Sequence, residues 1–568
     1  MLRIVRRQGL GACNASPTGM EIGSVVDVDG KRMDEQRDTL TQARRASGAR
    51  DWPSAAAFFD DVATEQLTAD DLAAYAEAAW WVGRVEDGLR LGAAAYDAFF
   101  ADSRSAEAAM SAMRLGILHL ARGDEQQSSG WLRRAVRLAE GMPECAIHGY
   151  VANFTEVELK LVAGEPAAAV DAARRVQEIG RRFDAPELVA AGLHSEGRGL
   201  IKSGQVVDGL ALIDEAMVTA LRGRLDPFLT AALYCNAISA CHEVGDVRRM
   251  IRWTELTEQW LASLTAAVVF TAMCRLHRAH VQLLRGEWDE AELGALQIVA
   301  DLDAGRVDYA AEAWYVVGEV RRLRGNPTAN AAYDQAQARG RDPQPGRALL
   351  MLQRGDAARA ATSVRSALAA VGSDSLRRAP ICAAAVEIAL AAGRVEDAAA
   401  AESELAATAR KYATSGLEAR AASARGAVLL ARSRAEQALP VLRDACRRWH
   451  ELGAAYDAAT TGLRLVEAYR ALGDEVTAAV EFDLAHETLE RLGAHRPAPK
   501  PPGGLTRREC DVLVLVAEGV SNRQIGEELF ISERTVARHL TNIFHKIGVT
   551  SRTQAARYAL DHGMSRSR

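Results

Sequence analysis

Along most of the chain, apolar and small residues recur at helical spacing in paired blocks, and a glycine interrupts each pair. These glycines stand at 83, 123, 164, 204, 245, 286, 325, 355, 393 and 473, with Ser433 in the remaining slot. Successive turns lie 38–41 residues apart except for one step of 30. Five residues past the turn comes a small residue in nine of eleven cases: Gly88, Ser128, Ala169, Gly209, Ala291, Ala360, Ala398, Ala438 and Ala478. Met250 and Asn330 are the exceptions. Alanine returns twelve past the turn at Ala95, Ala135, Ala216, Ala367, Ala445 and Ala485. Residues seven apart share a helix face, so the pattern predicts a helix, a glycine turn and a second helix that packs closely against the first. Arg50-Asp51-Trp52 with Ala55 parallels Gly286-Glu287-Trp288 with Ala291 and reads as a further, N-terminal copy. Such units bury their faces only against neighbours, which makes an all-α solenoid the expected architecture.

The last sixty residues break that period. Between Leu505 and Met564, four helix starts carry their own caps: Thr506 with Glu509, Ser521 with Gln524, Ser551 with Gln554, and Ser532 with Glu533 in its first turn. From Ser532 to Ile547, Val536, Leu540, Ile543, Phe544 and Ile547 fall on one stripe. At about 100° per residue, Arg534, Arg538, Thr541, Asn542 and His545 face the other way. Two guanidiniums, a hydroxyl, an amide and an imidazole suit the major groove, where arginine forks onto guanine and asparagine onto adenine. A preceding helix, Ser521 to Phe530, is joined to this one by Ile531 alone, the spacing of a helix-turn-helix.

These residues resemble the LuxR-type (NarL/FixJ-type) DNA-binding domain of bacterial transcription regulators. The resemblance rests on Leu505-Thr506-x-Arg508-Glu509, Gly519-x-Ser521-Asn522, Ile525, Leu529, Ile531-Ser532, Thr535-Val536, His539, Asn542-Ile543, Lys546, Val549 and Arg552. It implies a four-helix domain over 505–564, with the third helix reading DNA and the fourth, Ser551 to His562, supporting a homodimer on inverted half-sites. It also implies that Thr535, Asn542 and Lys546 lie at phosphates, and Arg538 and Thr541 at base edges. The full set expected to face double-stranded DNA is Ser521, Asn522, Arg534, Thr535, Ala537, Arg538, Thr541, Asn542, His545, Lys546 and Arg552. One position departs: Ala537 replaces the basic residue usual after the Thr-Val pair. The long array, for its part, resembles tetratricopeptide-like repeats stretched to near 40 residues. That leaves a protein or small-molecule ligand of the solenoid as a possible partner.

Boundaries follow from proline, glycine and the period. Residues 1–33 stand outside the array and are expected to form a disordered extension. Pro343 and Pro345 occupy the 30-residue step, where they remove helical donors. A hinge there would divide the solenoid into lobes 34–340 and 341–495; a trimmed repeat is the alternative. RPAPKPPGG, residues 496–504, reads as a semi-rigid linker.

Composition agrees with this division. Half the residues are hydrophobic and only 5% aromatic, which suits packed helices. The net charge of −6 alone would argue against nucleic acid, but residues 505–568 hold ten Lys/Arg against seven Asp/Glu. The reader is therefore +3 and the remainder −9, the distribution that phosphate contact requires. The eight cysteines are scattered without a C-x-x-C pair, as in reduced cytosolic proteins. No apolar run is long enough to span a membrane. Six lysines suffice to check for a phosphate loop: only Gly30-Lys31 has the ending, with Val25 and Arg32 at the wrong places. Cys274, His277 and His280 do not converge on one helix face, so no metal site is expected. Trp80, Trp81, Trp253 and Trp260 are either inter-repeat core or the wall of a ligand groove. No nucleophile–base pair or cofactor motif appears, so neither an enzyme nor a cofactor is expected. The resulting expectation is a cytoplasmic, sequence-specific transcription regulator with a responsive solenoid arm. A solenoid scaffold with a non-specific DNA-binding tail stands as the alternative.

Overall fold

A computed structural model describes residues 25–222, 225–302, 309–495, 505, 507–562 and 564. Helices follow one another from Val25–Gly48 to Arg552–Asp561, and no strand occurs among the described residues. They fall into two compact units, the first running to Leu492 apart from residues 323–325 and the second holding the C-terminal helices. None of the described helices is long and apolar enough to cross a membrane.

The first unit is a tetratricopeptide-like α-solenoid whose period is written in its turns. All eleven turn positions have positive φ, from 57° at Ser433 to 93° at Gly204, the left-handed region in which a Cβ is costly. Arg50, at 59°, adopts it too, so the N-terminal copy turns in the same way. An aspartate often follows the turn and caps the second helix: Asp124, Asp246, Asp356 and Asp474 each accept a hydrogen bond from the amide three residues on. Small residues five and twelve past the turn are the packing seam. Ala169, Ala291, Ala398 and Ala438 are fully buried, as are Ala135, Ala216 and Ala445. Met250 fills the same buried position with a larger side chain. After Gly325 the seam slips by one residue, so that Ala329 and Ala336 are buried and Asn330 is not. Helices Pro186–Ser203 and Val206–Leu221 show how close the approach becomes. A Cβ built on Gly209 would lie 2.5 Å from the Gly197 carbonyl oxygen.

Repeats far apart in sequence also meet, because the array coils back on itself. Thr414 donates to the Val244 carbonyl, Lys202 reaches Asp374 at 3.2 Å, and Thr265 donates to the Arg50 carbonyl at 2.9 Å. Gly416 packs so tightly on Gly245 that a Cβ would fall 2.7 Å from its carbonyl oxygen. These contacts bear on the expected lobes. One hydrophobic cluster contains Ile201, Ile213, Tyr234 and Ile238 from before residue 340 together with Leu376, Val386, Leu405 and Val428 from after it. The boundary at 340/341 therefore separates no pair of cores. Prolines 343 and 345 instead lie between two short helices, Ala329–Ala338 and Gly346–Gln353, the trimmed repeat.

The extension assigned to residues 1–33 is corrected at its end, since helix Val25–Gly48 begins within it. Residues 1–24 and the linker at 496–504 lie outside the described residues. His277 is buried, and His280 Nε2 lies 3.4 Å from Glu312 with its ring against His242. No grouping of three ligand-type side chains suits a metal ion among the described residues.

Candidate nucleic-acid interface

Four helices build the C-terminal unit: Arg507–Ala517, Asn522–Glu528, Glu533–Ile547 and Arg552–Asp561. Their starts are fixed by short polar side chains. Ser521 accepts from the Gln524 amide while its own amide donates to Gln524 Oε1 at 3.0 Å, a complete capping box. Ser532 accepts from the Thr535 amide at 3.1 Å. Ser551 caps the last helix, but Gln554 reaches back to the Thr550 amide at 2.9 Å, one residue earlier than the spacing implied. Thr506 lies outside the described residues.

The connection between the second and third helices is longer than a single residue. The second helix ends at Glu528, and Leu529, Phe530 and Ile531 lead to the Ser532 cap. Phe530 adopts φ 54°, which stops the helix early, and its ring is 95% exposed. Ile531 donates to the Gly526 carbonyl at 2.9 Å, and a Cβ on Gly526 would sit 2.7 Å from the Ile531 oxygen. Glycine is thus required for the tight crossing of the two helices.

Val536, Leu540 and Ile543 are buried, and Phe544 and Ile547 pack at the edge of a core shared with Val512, Leu513, Val516, Ile525, Ala555 and Ala559. That anchored stripe orients the rest of the helix. Arg534, Ala537, Arg538, Thr541, Asn542 and His545 are all exposed. Among the described residues, Arg534 and Arg538 have no carboxylate partner, so their donors face solvent. The Thr541 hydroxyl donates to the Ala537 carbonyl at 3.1 Å and retains its acceptor lone pairs. Thr535 is half-buried and hydrogen-bonded to Ser532.

Three of the expected residues are held within the protein. Lys546 Nζ donates to Glu509 Oε2 at 2.7 Å, and Glu509 is 4% exposed, so this lysine clamps the third helix to the first. Arg552 donates to Asn522 Oδ1 at 2.7 Å and to the Val520 carbonyl, tying the fourth helix to the start of the second. Ser521 remains exposed at its cap. Sequence reasoning gave Arg508 a place in the resemblance but no contact; it donates to the Leu529 carbonyl and closes the end of the second helix. Its pairing has no spacing signal, because the partner is a backbone oxygen twenty-one residues away.

Residues 504–559 match the profile described as "Bacterial regulatory proteins, luxR family". Over 80 residues the chain is 48% identical to the transcriptional regulatory protein LiaR of Bacillus subtilis, covering 14% of this chain and 38% of the relative. It is 53% identical over 64 residues to the transcriptional regulatory protein DegU of Brevibacillus brevis, covering 11% and 27%. The chain thus spans well under half the length of these relatives. Among solved structures, similarity extends over 83% of this chain and 99% of a chain of the APC/C hetero-tetramer Cut9-Hcn1, at 12% identity and a TM-score of 0.33. A Rap protein complexed with competence and sporulation factor aligns over 72% of this chain and 99% of its own, at 11% identity and a TM-score of 0.37. The four C-terminal helices form a helix-turn-helix domain of the luxR family of bacterial regulatory proteins.

Proposed function

We propose that the chain is a cytoplasmic transcription regulator that reads duplex DNA by laying Glu533–Ile547 in the major groove, with the solenoid as a ligand- or protein-responsive arm. The observation that carries this reading is the division of that helix. Its apolar stripe is locked into the core, and two arginines without a carboxylate partner among the described residues share its solvent face with Thr541, Asn542 and His545. Arg538 and Thr541 are assigned to base edges, Arg534 and His545 beside them, and Thr535 and Asn542 to phosphates. Lys546 is assigned to a phosphate at the end of the helix while its other contact, Glu509, sets its position. Ser521, Asn522 and Arg552 are assigned to the adjacent backbone, where Arg552 acts by holding Asn522 in place.

Dimerisation on DNA is assigned to the fourth helix. Ala555 and Ala559 bury one side of it, while Leu560 is 67% exposed on the other. The alternative, a scaffold with a non-specific tail, draws on Ala537, whose methyl group is exposed where a basic side chain is usual. Selection of bound duplexes from a random pool with the full chain separates the two. A reproducible inverted repeat is expected, and recovery without enrichment would leave only the scaffold.

A further inference from the structure

The helix that closes the solenoid, Glu475–Arg491, has two unlike faces. Ala478, Ala485 and Leu489 are buried, on the side that packs against Ala455–Ala471. The opposite face carries Val476, Val480 and Leu484, stacked at four-residue spacing and 80, 64 and 56% exposed.

Comparison between repeats singles out this face. Val476, Val480 and Leu484 stand three, seven and eleven residues past the turn at Gly473. The same positions hold Glu396, Ala400 and Glu404 two repeats earlier, and Glu436, Pro440 and Asp444 one repeat earlier. In every preceding repeat at least one of the three is polar or charged. Glu396 and Glu436 are exposed, so these positions look outward, where polar residues keep an array soluble. Only the last repeat makes all three aliphatic, an exposed stripe of the kind that marks an interface.

The ends of the helix identify the occupant. Arg491 is exposed, lies about 20° from the centre of the stripe, and forms no ion pair among the described residues. At the other end Asp474, also exposed, accepts from the Thr477 amide through one carboxylate oxygen only. In an antiparallel pair of these helices, Val480 of each copy meets Leu484 of the other, and Arg491 comes beside the partner's Asp474. A parallel pair would set Arg491 against Arg491 and Glu487 against Glu487, which like-charge repulsion disfavours. The stripe is therefore complementary to itself, as a two-fold interface requires. The midpoint of that register falls at residue 482. The two Arg491 residues then lie about 27 Å apart along the helix axes, at about 1.5 Å per residue. Each chain continues from there to its reader, and the half-sites of a two-fold operator lie about 34 Å apart.

We infer that Glu475–Arg491 pairs antiparallel with the same helix of a second copy, a solenoid interface that acts beside the one assigned to the fourth helix of the reader. A single helix face falls short of the roughly 800 Å² per partner that a standing interface buries. The pair is therefore weak in free solution and is reinforced when both readers hold one duplex.

Sedimentation of the full chain without DNA, from about 1 to 200 µM, covers the range expected of so small an interface. A concentration-dependent equilibrium between monomer and dimer is expected. Val480→Asp should weaken it about tenfold or more at unchanged helix content, because Val480 supports no core of its own copy. Val207→Asp, at a valine 81% exposed in an earlier repeat, should leave it unaltered. Arg491→Glu should weaken association several-fold, and adding Asp474→Asn, which keeps the cap, should restore part of it. A chain that stays monomeric throughout, association untouched by Val480→Asp, or equal losses from Val207→Asp and Val480→Asp would each overturn the assignment. So would a monomer whose affinity for DNA rises in Val480→Asp, since the reader of the same chain would then be what covers the stripe. Association is measured without DNA, so its failure is distinguishable from failure of the groove assignment.

Discussion

Arg538 and Lys546 look alike in sequence, two cations on one helix, but the protein uses them differently. Arg538 has no carboxylate partner within the described residues, whereas Lys546 neutralises a carboxylate that is 4% exposed. Arg538→Ala should therefore leave the thermal midpoint unchanged, cost about 1–3 kcal/mol in specific binding and relax preference at one base pair. An operator preference untouched by that change would contradict the groove assignment. Lys546→Ala should weaken binding to all duplexes and flatten the salt dependence. It should also destabilise the domain by about 1.5–3 kcal/mol, because a charge-assisted bond to a buried group is lost. Measuring melting and binding on the same samples separates the two effects, and an unchanged melt in Lys546→Ala would refute the clamp. Caps at Ser521 and Ser532 were legible because they depend on neighbours three residues on. The ties Lys546–Glu509 and Arg552–Asn522 were not, since both bridge helices and leave no mark at a fixed spacing.

At the scale of the element, one repeat breaks its own rule. Ser433 occupies the left-handed turn position that glycine fills in ten other repeats, with φ 57°. An L side chain there costs roughly 1–2 kcal/mol, partly offset by the greater unfolded-state freedom of glycine. Ser433→Gly should thus raise stability by up to about 1 kcal/mol. Gly393→Ser, at φ 71° with open space around the missing Cβ, should lower stability by a similar amount through backbone strain alone. Chemical denaturation of both variants reads the pair, and effects of the same sign would show that turn geometry is not the cause. The glycine turns and their alanine seams could be read from the sequence because one residue type repeats at one interval. The alternate turns were invisible, since Ser103, Asp184, Ala413 and Gly453 share their positive φ but not their chemistry. Coiling was likewise unreadable: nothing periodic says that Val244 will meet Thr414 or that Phe228 will meet Trp80.

For the whole molecule, the interior of the solenoid sets a pH response and its charge sets a salt response. Burial holds His194 and His277 down to about 3, with Arg198 adding to the first and His280 and His242 to the second. The unfolded chain titrates these rings near 6.5. Their neutral forms favour the fold, so this contribution is complete above about pH 6.5 and is lost as the pH falls towards 3. Carboxylates titrate lower. Glu312, which burial alone would raise, is held down to about 2 by His280 and Arg341, so its contribution is complete above its ordinary value near 4.5 and is lost as the pH falls from there towards 2. Between pH 6.5 and 4.5 the histidines should dominate, at about 1.4 kcal/mol per pH unit each, and His194→Gln should flatten the slope in urea melts. Constant stability from pH 7 to 5 would contradict their neutral burial. Charge bears on DNA in the opposite sense. The reader's +3 is linked to a remainder of −9, and the reader has a hydrophobic core of its own from Leu505 to Ala559. Residues 497–568 alone should therefore bind non-specific duplex more tightly than the full chain in dilute salt, and the gap should close as the Debye length shrinks. A difference that survives at high salt requires more than repulsion and would mark conformational control by the arm. Identical affinity at every salt concentration, with identical dimerisation, would instead reduce the solenoid to a passenger.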